Sequence, residues 1–218
     1  MKDRLHVFES PAITVTWSRL RCNHVAECIR GLPVVFQPGR RPWVDPARAA
    51  VDRVAEVVCR CPTGALHYER HDGGAAEPVP AENVVTPMRH GPLHLRGDIR
   101  LVGEDGAELA RDTRVALCRC GATRARPWCD GSHWAADFRD EGALGAGGAA
   151  PEDPVAPGPL EVAFGAGGPL YLKGRFVLAN RRGEERRELG AAELCRCGAS
   201  KNRPFCDGSH TGTDLREG

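Results

Sequence analysis

Charge of either sign is nearly cancelled in this sequence, with 30 Lys and Arg against 29 Asp and Glu, a net +1 over 218 residues. No basic field is offered to nucleic acid and no acidic tail to a basic partner, so a nucleic-acid partner is not expected. Long apolar runs are also lacking; none approaches the roughly 20 residues of a membrane span. The opening MKDRLHVFES carries charges without the apolar core of a secretory leader. These absences lead to the expectation of a cytoplasmic protein with no membrane partner. Aromatic residues make up only 6% of the chain, so the core is thin, and small domains with thin cores usually need metal staples. No nucleophile elbow, dinucleotide fingerprint or phosphate loop is present, so no catalytic residue is assigned and enzymatic activity is not expected.

What the chain does have is cysteine, ten residues of it. In a reducing compartment disulfides explain such a number poorly, whereas metal or redox chemistry explains it well. Six of the ten fall in two copies of one pattern, CRCGATRARPWCDGSH from Cys118 to His133 and CRCGASKNRPFCDGSH from Cys195 to His210. Both read C-x-C-x8-C-x3-H. A shift of 77 residues aligns them without a gap and extends upstream to GPLHLRGDIRL and GPLYLKGRFVL, with 21 of 43 positions identical between Gly91–His133 and Gly168–His210. Such self-similarity marks a duplicated structural unit. Within each unit, Leu93, Leu95, Ile99 and Leu101, then Leu170, Leu172, Phe176 and Leu178, alternate as in a strand. Gly97 and Gly174 should bend that strand, and Asp105-Gly106 and Arg182-Gly183 should turn it. A brief helix is expected from Asp130 and from Asp207, since Asp is a good N-cap.

Composition divides the chain further. HDGGAAEPVPA at 71–81 reads as a linker, and residues 139–159, rich in Gly, Ala and Pro, as a second linker expected to be mobile. The unit before them, residues 11–68, reads as β-α-loop-α-β: AITVTW as an edge strand, a helix over PARAAVDRVAEVV capped by Asp45 with Pro46 in its first turn, and ALHY as a closing strand. It contains the other four cysteines, Cys22, Cys28, Cys59 and Cys61.

The donor chemistry is informative on its own. Thiolates suit iron–sulfur clusters or zinc. Cys118 and Cys120 can hold one metal through a tight bend, with Gly121 and Pro127 shaping the loop, and Cys129 and His133 at i, i+4 share one face of a helical turn. Replacing a thiolate by neutral imidazole leaves a cluster less negative and raises its potential, and the second ring nitrogen can couple redox state to pH. Structural zinc in the same ligands remains the competing reading.

The C-x-C-x8-C-x3-H pattern ending in CDGSH resembles the CDGSH iron–sulfur (NEET) family, over roughly residues 82–138 and 159–213. The resemblance implies a 2Fe-2S cluster on Cys118, Cys120, Cys129 and His133 and a second on Cys195, Cys197, Cys206 and His210. It also implies a β-rich intertwined pair, here an intramolecular pseudo-dimer, and hence a monomer with internal pseudo-two-fold symmetry. Asp130, Ser132, Asp207 and Ser209 are expected to hold the loops rather than bind metal, and Trp128 and Phe205 to shield the clusters. Arg126 and Arg203 could hydrogen-bond sulfide or a partner's carboxylate, or simply be solvated. RCNHVAECIRGLPVVF followed by CRCPTGALHY resembles a divergent single-cluster ferredoxin, which implies Cys22, Cys28 and Cys61 as ligands. Val25 stands where such a ferredoxin has its middle cysteine. Three thiolates suit a 3Fe-4S cluster, and a 4Fe-4S cluster would need His24, Cys59 or an outside ligand as its fourth. Cys59 could equally be a small hydrophobe and His24 a surface residue. His67, His90 and His94 lack companions at metal spacing and read as surface or strand residues.

The expected fold class is therefore α+β, with a ferredoxin-like domain at 1–70 and CDGSH domains at 82–138 and 159–218. The expected function is electron transfer to or from a reductase or oxidoreductase. The alternatives are a cluster donor serving an apo-acceptor, or a pH or redox sensor; a reductase subunit ranks third.

Overall fold

The computed structural model describes residues 3–149, 158–165 and 167–213. The chain divides into two units, Met1–Pro78 and Val79–Gly218.

In the first unit, three antiparallel strands, β1 (Leu5–Glu9), β2 (Ile13–Ser18) and β3 (Leu66–Arg70), lie in the order β1-β2-β3. The strand expected at an edge is thus the central one. LHVFE, ahead of the expected edge strand, supplies an additional strand whose Leu5 and Val7 stay exposed, so its alternation carries little core signal. Helix α1 (Glu27–Gly31) carries Cys28, and helix α2 (Val51–Cys59) buries Val54, Ala55, Val57 and Val58 against Ile13, Val15, Phe36 and Val44. Asp45 does not cap α2. It precedes a separate 3-10 turn, Pro46–Arg48, and accepts from Arg48 Nε at 2.6 Å, while Ala50 takes the cap position. Ala49 and Ala50, in extended conformation, break the helical run that apolar spacing alone suggests.

The second unit is one six-stranded sheet built from both repeats: β4 (Val84–Pro87), β5 (Leu93–Val102), β6 (Glu108–Leu117), β7 (Leu160–Phe164), β8 (Leu170–Ala179) and β9 (Arg186–Leu194). The hairpins β5–β6 and β8–β9 are the duplicated units, turned at Gly106 (φ 76°) and Gly183 (φ 73°). The eight alternating apolar residues singled out above are all buried. The register breaks at Gly97 and Gly174, as the strand bend requires. A Cβ at Gly97, where φ is 151°, would stand 2.1 Å from Asn83 Oδ1.

Each repeat lends a short strand to the other. β4 pairs with its own β5 and, in parallel, with β8; β7 pairs with its own β8 and, in parallel, with β5. The two crossings are the same crossing. Adding 77 to the first partner and subtracting 77 from the second turns Val84↔Val177 into Glu161↔Arg100, a pair that is also made. Asn83 clasps this junction, donating from Nδ2 to Gly158 O (2.9 Å) and Arg175 O (3.0 Å) while Oδ1 accepts from Asp98 N (2.9 Å). At about 1 kcal/mol per net hydrogen bond, Asn83→Ala should lower unfolding stability by about 2–3 kcal/mol. Chemical denaturation monitored on the second unit measures this.

Residues 139–149 of the second expected linker are not loose. Gly145 N donates to Arg203 O (3.1 Å), Asn202 Nδ2 to Ala146 O (2.6 Å), and Ala149 bridges to Ala191 on the edge of β9. Small residues there allow close approach: a Cβ at Gly147 would lie 2.9 Å from the Phe205 ring. Residues 150–157 of that linker, Met1 and Lys2 of the first expected domain, and 214–218 of the last lie outside the described residues.

Candidate metal centres

The two CDGSH loops are continuations of β6 and β9. Beyond Leu117 the chain loops out and returns so that Cys118 N donates to Pro127 O (2.9 Å) and Cys129 N to Ala116 O (2.9 Å). The second copy repeats this, with Cys195 N to Pro204 O (2.7 Å) and Cys206 N to Glu193 O (2.9 Å). A strand end thereby carries a thiol on each flank. Inside the loop, Thr123 Oγ1 donates to Trp128 O, and Ser200 Oγ to Phe205 O, both at 2.7 Å.

The donors fall in pairs. Cys118 and Cys120 stand 3.6 Å apart at sulfur, and Cys129 Sγ is 3.4 Å from His133 Nδ1. In the second copy Cys195 and Cys197 are again 3.6 Å apart and Cys206 Sγ is 3.3 Å from His210 Nδ1. Among the described residues no group of three or more His, Cys, Asp or Glu side chains closes on a single ion. Two donor pairs per loop fit a two-iron cluster, in which each iron takes two protein ligands; one tetrahedral zinc would draw four donors to one point.

The Cys118 and Cys120 sulfurs are close enough to titrate as a pair. In the first copy the Cys120 thiol, donating to Cys118, draws Cys118 down to about 6 and drives Cys120 up. In the second, burial pushes Cys195 up to about 11. Burial lowers the His133 imidazole, which favours the neutral, metal-binding form. Cys118, Cys129, His133 and Cys195 are buried, whereas Cys120, Cys197, Cys206 and His210 are half-buried.

The expected helices after Asp130 and Asp207 are a run of turns in the first copy and a 3-10 turn, Ser209–Gly212, in the second. The carboxylates act as staples instead of caps. Asp130 accepts from Ser132 N (2.9 Å) and Arg124 N (3.0 Å), and Asp207 from Ser209 N (3.0 Å) and Lys201 N (2.8 Å). The Ser209 hydroxyl and these amides hold Asp207 down at about 2. Trp128 and Phe205 are buried beside Cys129 and Cys206 as expected. Arg126 and Arg203 are not merely solvated: each reaches back across its own loop, Arg126 Nη2 to Gly121 O and Arg203 Nη1 to Gly198 O, both at 2.7 Å.

Sequence reasoning missed Arg119 and Arg196, the residues between the paired cysteines. They are the largest fully buried side chains among the described residues. Arg119 Nε donates to Gly91 O (3.0 Å) and Nη2 to Met88 O (2.6 Å); Arg196 makes the equivalent bonds, Nε to Gly168 O (2.9 Å) and Nη2 to Gly165 O (2.5 Å). The available signal was C-R-C in both copies. His94, read from sequence as a surface or strand residue, lies on β5. Burial pushes its imidazole down to about 4, with Arg181 and His133 adding to the effect, so it borders the first site as a neutral strand residue. His67 is held by Glu77 (3.0 Å) and Gly64 O (3.0 Å), and His90 Nδ1 accepts from Asp140 N (3.1 Å).

In the first unit, Cys22, Cys28 and Cys61 all pack on the core of α2 and the sheet. Burial, followed by the charge of Cys61 and then of Cys22, pushes the Cys28 thiol up to about 11. A Cys28 thiol that resists deprotonation beside other cysteines is what a metal would relieve. His24 and Ala26, on the loop between Cys22 and Cys28, both adopt left-handed backbone (φ 60° and 63°), and His24 Nδ1 lies 4.0 Å from Cys22 Sγ. Cys59 is half-buried at the last position of α2 and outside that core.

These arrangements agree with comparison to known proteins. Residues 8–71 match a family described as "Divergent 4Fe-4S mono-cluster", and residues 90–134 and 167–211 each match "Iron-binding zinc finger CDGSH type". "Uncharacterized protein YjdI" of Escherichia coli (strain K12) is 39% identical over 59 residues, 27% of this chain and 76% of that protein. The protein of the same name from Escherichia coli O157:H7 matches to the same extent. No solved structure matches the chain.

Proposed function

Because residues 8–71 match the divergent 4Fe-4S mono-cluster family and residues 90–134 and 167–211 the CDGSH-type iron-binding family, we propose that the chain is a three-cluster electron carrier rather than an enzyme. Cys118, Cys120, Cys129 and His133 would hold one 2Fe-2S cluster, and Cys195, Cys197, Cys206 and His210 the other. The observation that carries this is the division of each donor set into a Cys–Cys and a Cys–His pair at 3.3–3.6 Å. Cys22, Cys28 and Cys61 would hold the third cluster, of 4Fe-4S type by family, with His24 the better placed fourth ligand beside Cys22. Bound clusters would supply reversible one-electron chemistry. The chain's own part is to bury the Cys118, Cys129 and Cys195 sulfurs, keep the His133 imidazole neutral and exclude water with Trp128 and Phe205.

The paired crossings of β4 and β7 support an intramolecular pseudo-dimer, and thus a ferredoxin-like unit followed by two interlocked repeats in a monomer. A redox protein, reductase or oxidoreductase, would be its partner. No helix among the described residues is long and apolar enough to cross a membrane, and the proposed location is the cytoplasm.

Anaerobically prepared protein should contain iron and acid-labile sulfide for three clusters and titrate reversibly with the clusters intact. Zinc without sulfide would overturn the cluster assignment, and transfer of clusters to an apo-acceptor in place of reversible titration would favour the donor reading. His24→Ala should leave the first unit's cluster one iron short, read by iron analysis and EPR.

A further inference from the structure

The two CDGSH loops do not lie apart in the second unit. Gly198, in the second loop with φ 80°, approaches the first loop so closely that a Cβ there would be 3.1 Å from Cys120 Cα and 3.2 Å from Arg119 O. The charge of Cys195, a donor of the second site, also acts on the Arg119 guanidinium of the first loop.

One carboxylate bridges the two loops. Asp140 Oδ1 accepts from Arg119 Nη1 at 2.9 Å and Oδ2 from Arg203 Nε at 2.5 Å. Arg119 is flanked by Cys118 and Cys120 of the first site, and Arg203 stands three residues before Cys206 of the second. The Asp140 side chain is only 7% exposed. Its backbone is pinned as well: His90 N donates to Asp140 O (2.7 Å), Asp140 N to His90 Nδ1 (3.1 Å), and Gly142 N to Oδ1 (2.8 Å). The Phe138 ring lies under both guanidinium groups, 5.2 Å from Arg119 and 5.7 Å from Arg203. Burial opposes the charge of Asp140, and the two arginines with the Gly142 amide outweigh it, holding the carboxyl below the usual range. A buried carboxylate between two cations is costly to disturb from either end.

Resting on the reading that each loop holds a cluster, the geometry points to Asp140 as a positioning residue that couples the two sites. A filled second site orders the loop bearing Arg203 and presents its guanidinium to Asp140. Asp140 in turn fixes Arg119, and with it the backbone between Cys118 and Cys120. Loss of the second cluster releases Arg203 and loosens the first site, and by linkage the effect runs equally in reverse.

The test is a thermodynamic cycle on the full chain. The second site is emptied by Cys206→Ala, and the half-life of the first cluster under chelator challenge is followed by visible absorbance, with its reduction potential as a second readout. In the wild-type background, emptying the second site should shorten that half-life by about 5- to 100-fold, the usual range of a coupling free energy. In an Asp140→Asn background it should change the half-life by less than about 2-fold, the residue of non-additivity between uncoupled sites. Asp140→Glu should restore part of the dependence. If Asp140→Asn does not fold, Arg203→Gln cuts the same bridge from its exposed end. Asp105→Asn, at the tip of the β5–β6 hairpin, removes the same charge elsewhere and should leave the dependence intact. A first cluster indifferent to Cys206→Ala, or a dependence that survives Asp140→Asn and Arg203→Gln, overturns the inference. Wild-type protein without iron and sulfide would overturn the cluster reading instead.

Discussion

Replacing His133 and His210 together by Cys should lower the potentials of the two proposed two-iron clusters by on the order of 100–300 mV. The magnitude follows from the higher potentials of clusters in which two His replace two Cys, taken for one replacement per cluster. A fourth thiolate adds negative charge that disfavours the reduced state. His133 is buried and its surroundings already press it towards the neutral form, so the exchange introduces a charge where the fold provides for none. The shift should therefore be larger at the first site than at the half-buried second. Spectroelectrochemical titration of wild type and double variant measures both; unchanged potentials would remove the histidines from the ligand set.

Gly198→Val should have the second large effect, destabilising the unit by about 3 kcal/mol or more. A left-handed backbone with a branched side chain costs about 1–3 kcal/mol by itself, and here the new Cβ would also press on backbone atoms of Cys120 and Arg119, which cannot turn aside. The two loops would have to separate. We expect a lower thermal midpoint and weakened cluster absorbance from both sites, against little change for valine at Gly39, where a Cβ meets nothing within 4 Å and only the φ of 89° resists. Equal losses from the two variants would mean that close approach of the loops contributes nothing.

That the Cys and His side chains of each CDGSH loop come together was legible because residue type and spacing recur, and the duplication printed the pattern twice. The alternation of Leu93 to Leu101 was legible for a related reason, since burial on one strand face leaves a period of two. Other features left no such trace. The centrality of β2 depends on β1, whose Leu5 and Val7 are exposed and give no inward face to detect. The turns after Asp130 look like a helix start because Asp serves a cap and a loop staple equally well, and only the partners, Arg124 N and Ser132 N, tell them apart. Arg119, Arg196 and Asp140 were not singled out because sequence has no sign for a buried ion whose partners are distant in the chain or are backbone carbonyls. Asp140 meets Arg203, 63 positions away.

The exchange of β4 and β7 also places a schedule on synthesis. Val84 pairs with Val177, a span of 93 residues (177 − 84), so β4 emerges from the ribosome long before its parallel partner exists. The first loop, complete at His133, precedes β7 and β8, and the Gly198 that abuts Cys120 comes later still. Contacts this distant in sequence are slow to form because the entropy of closing long loops must be met first. An unfinished chain therefore presents the first set of thiols on a hairpin with unpaired strand edges, in the interval when oxidation and aggregation compete most directly with maturation.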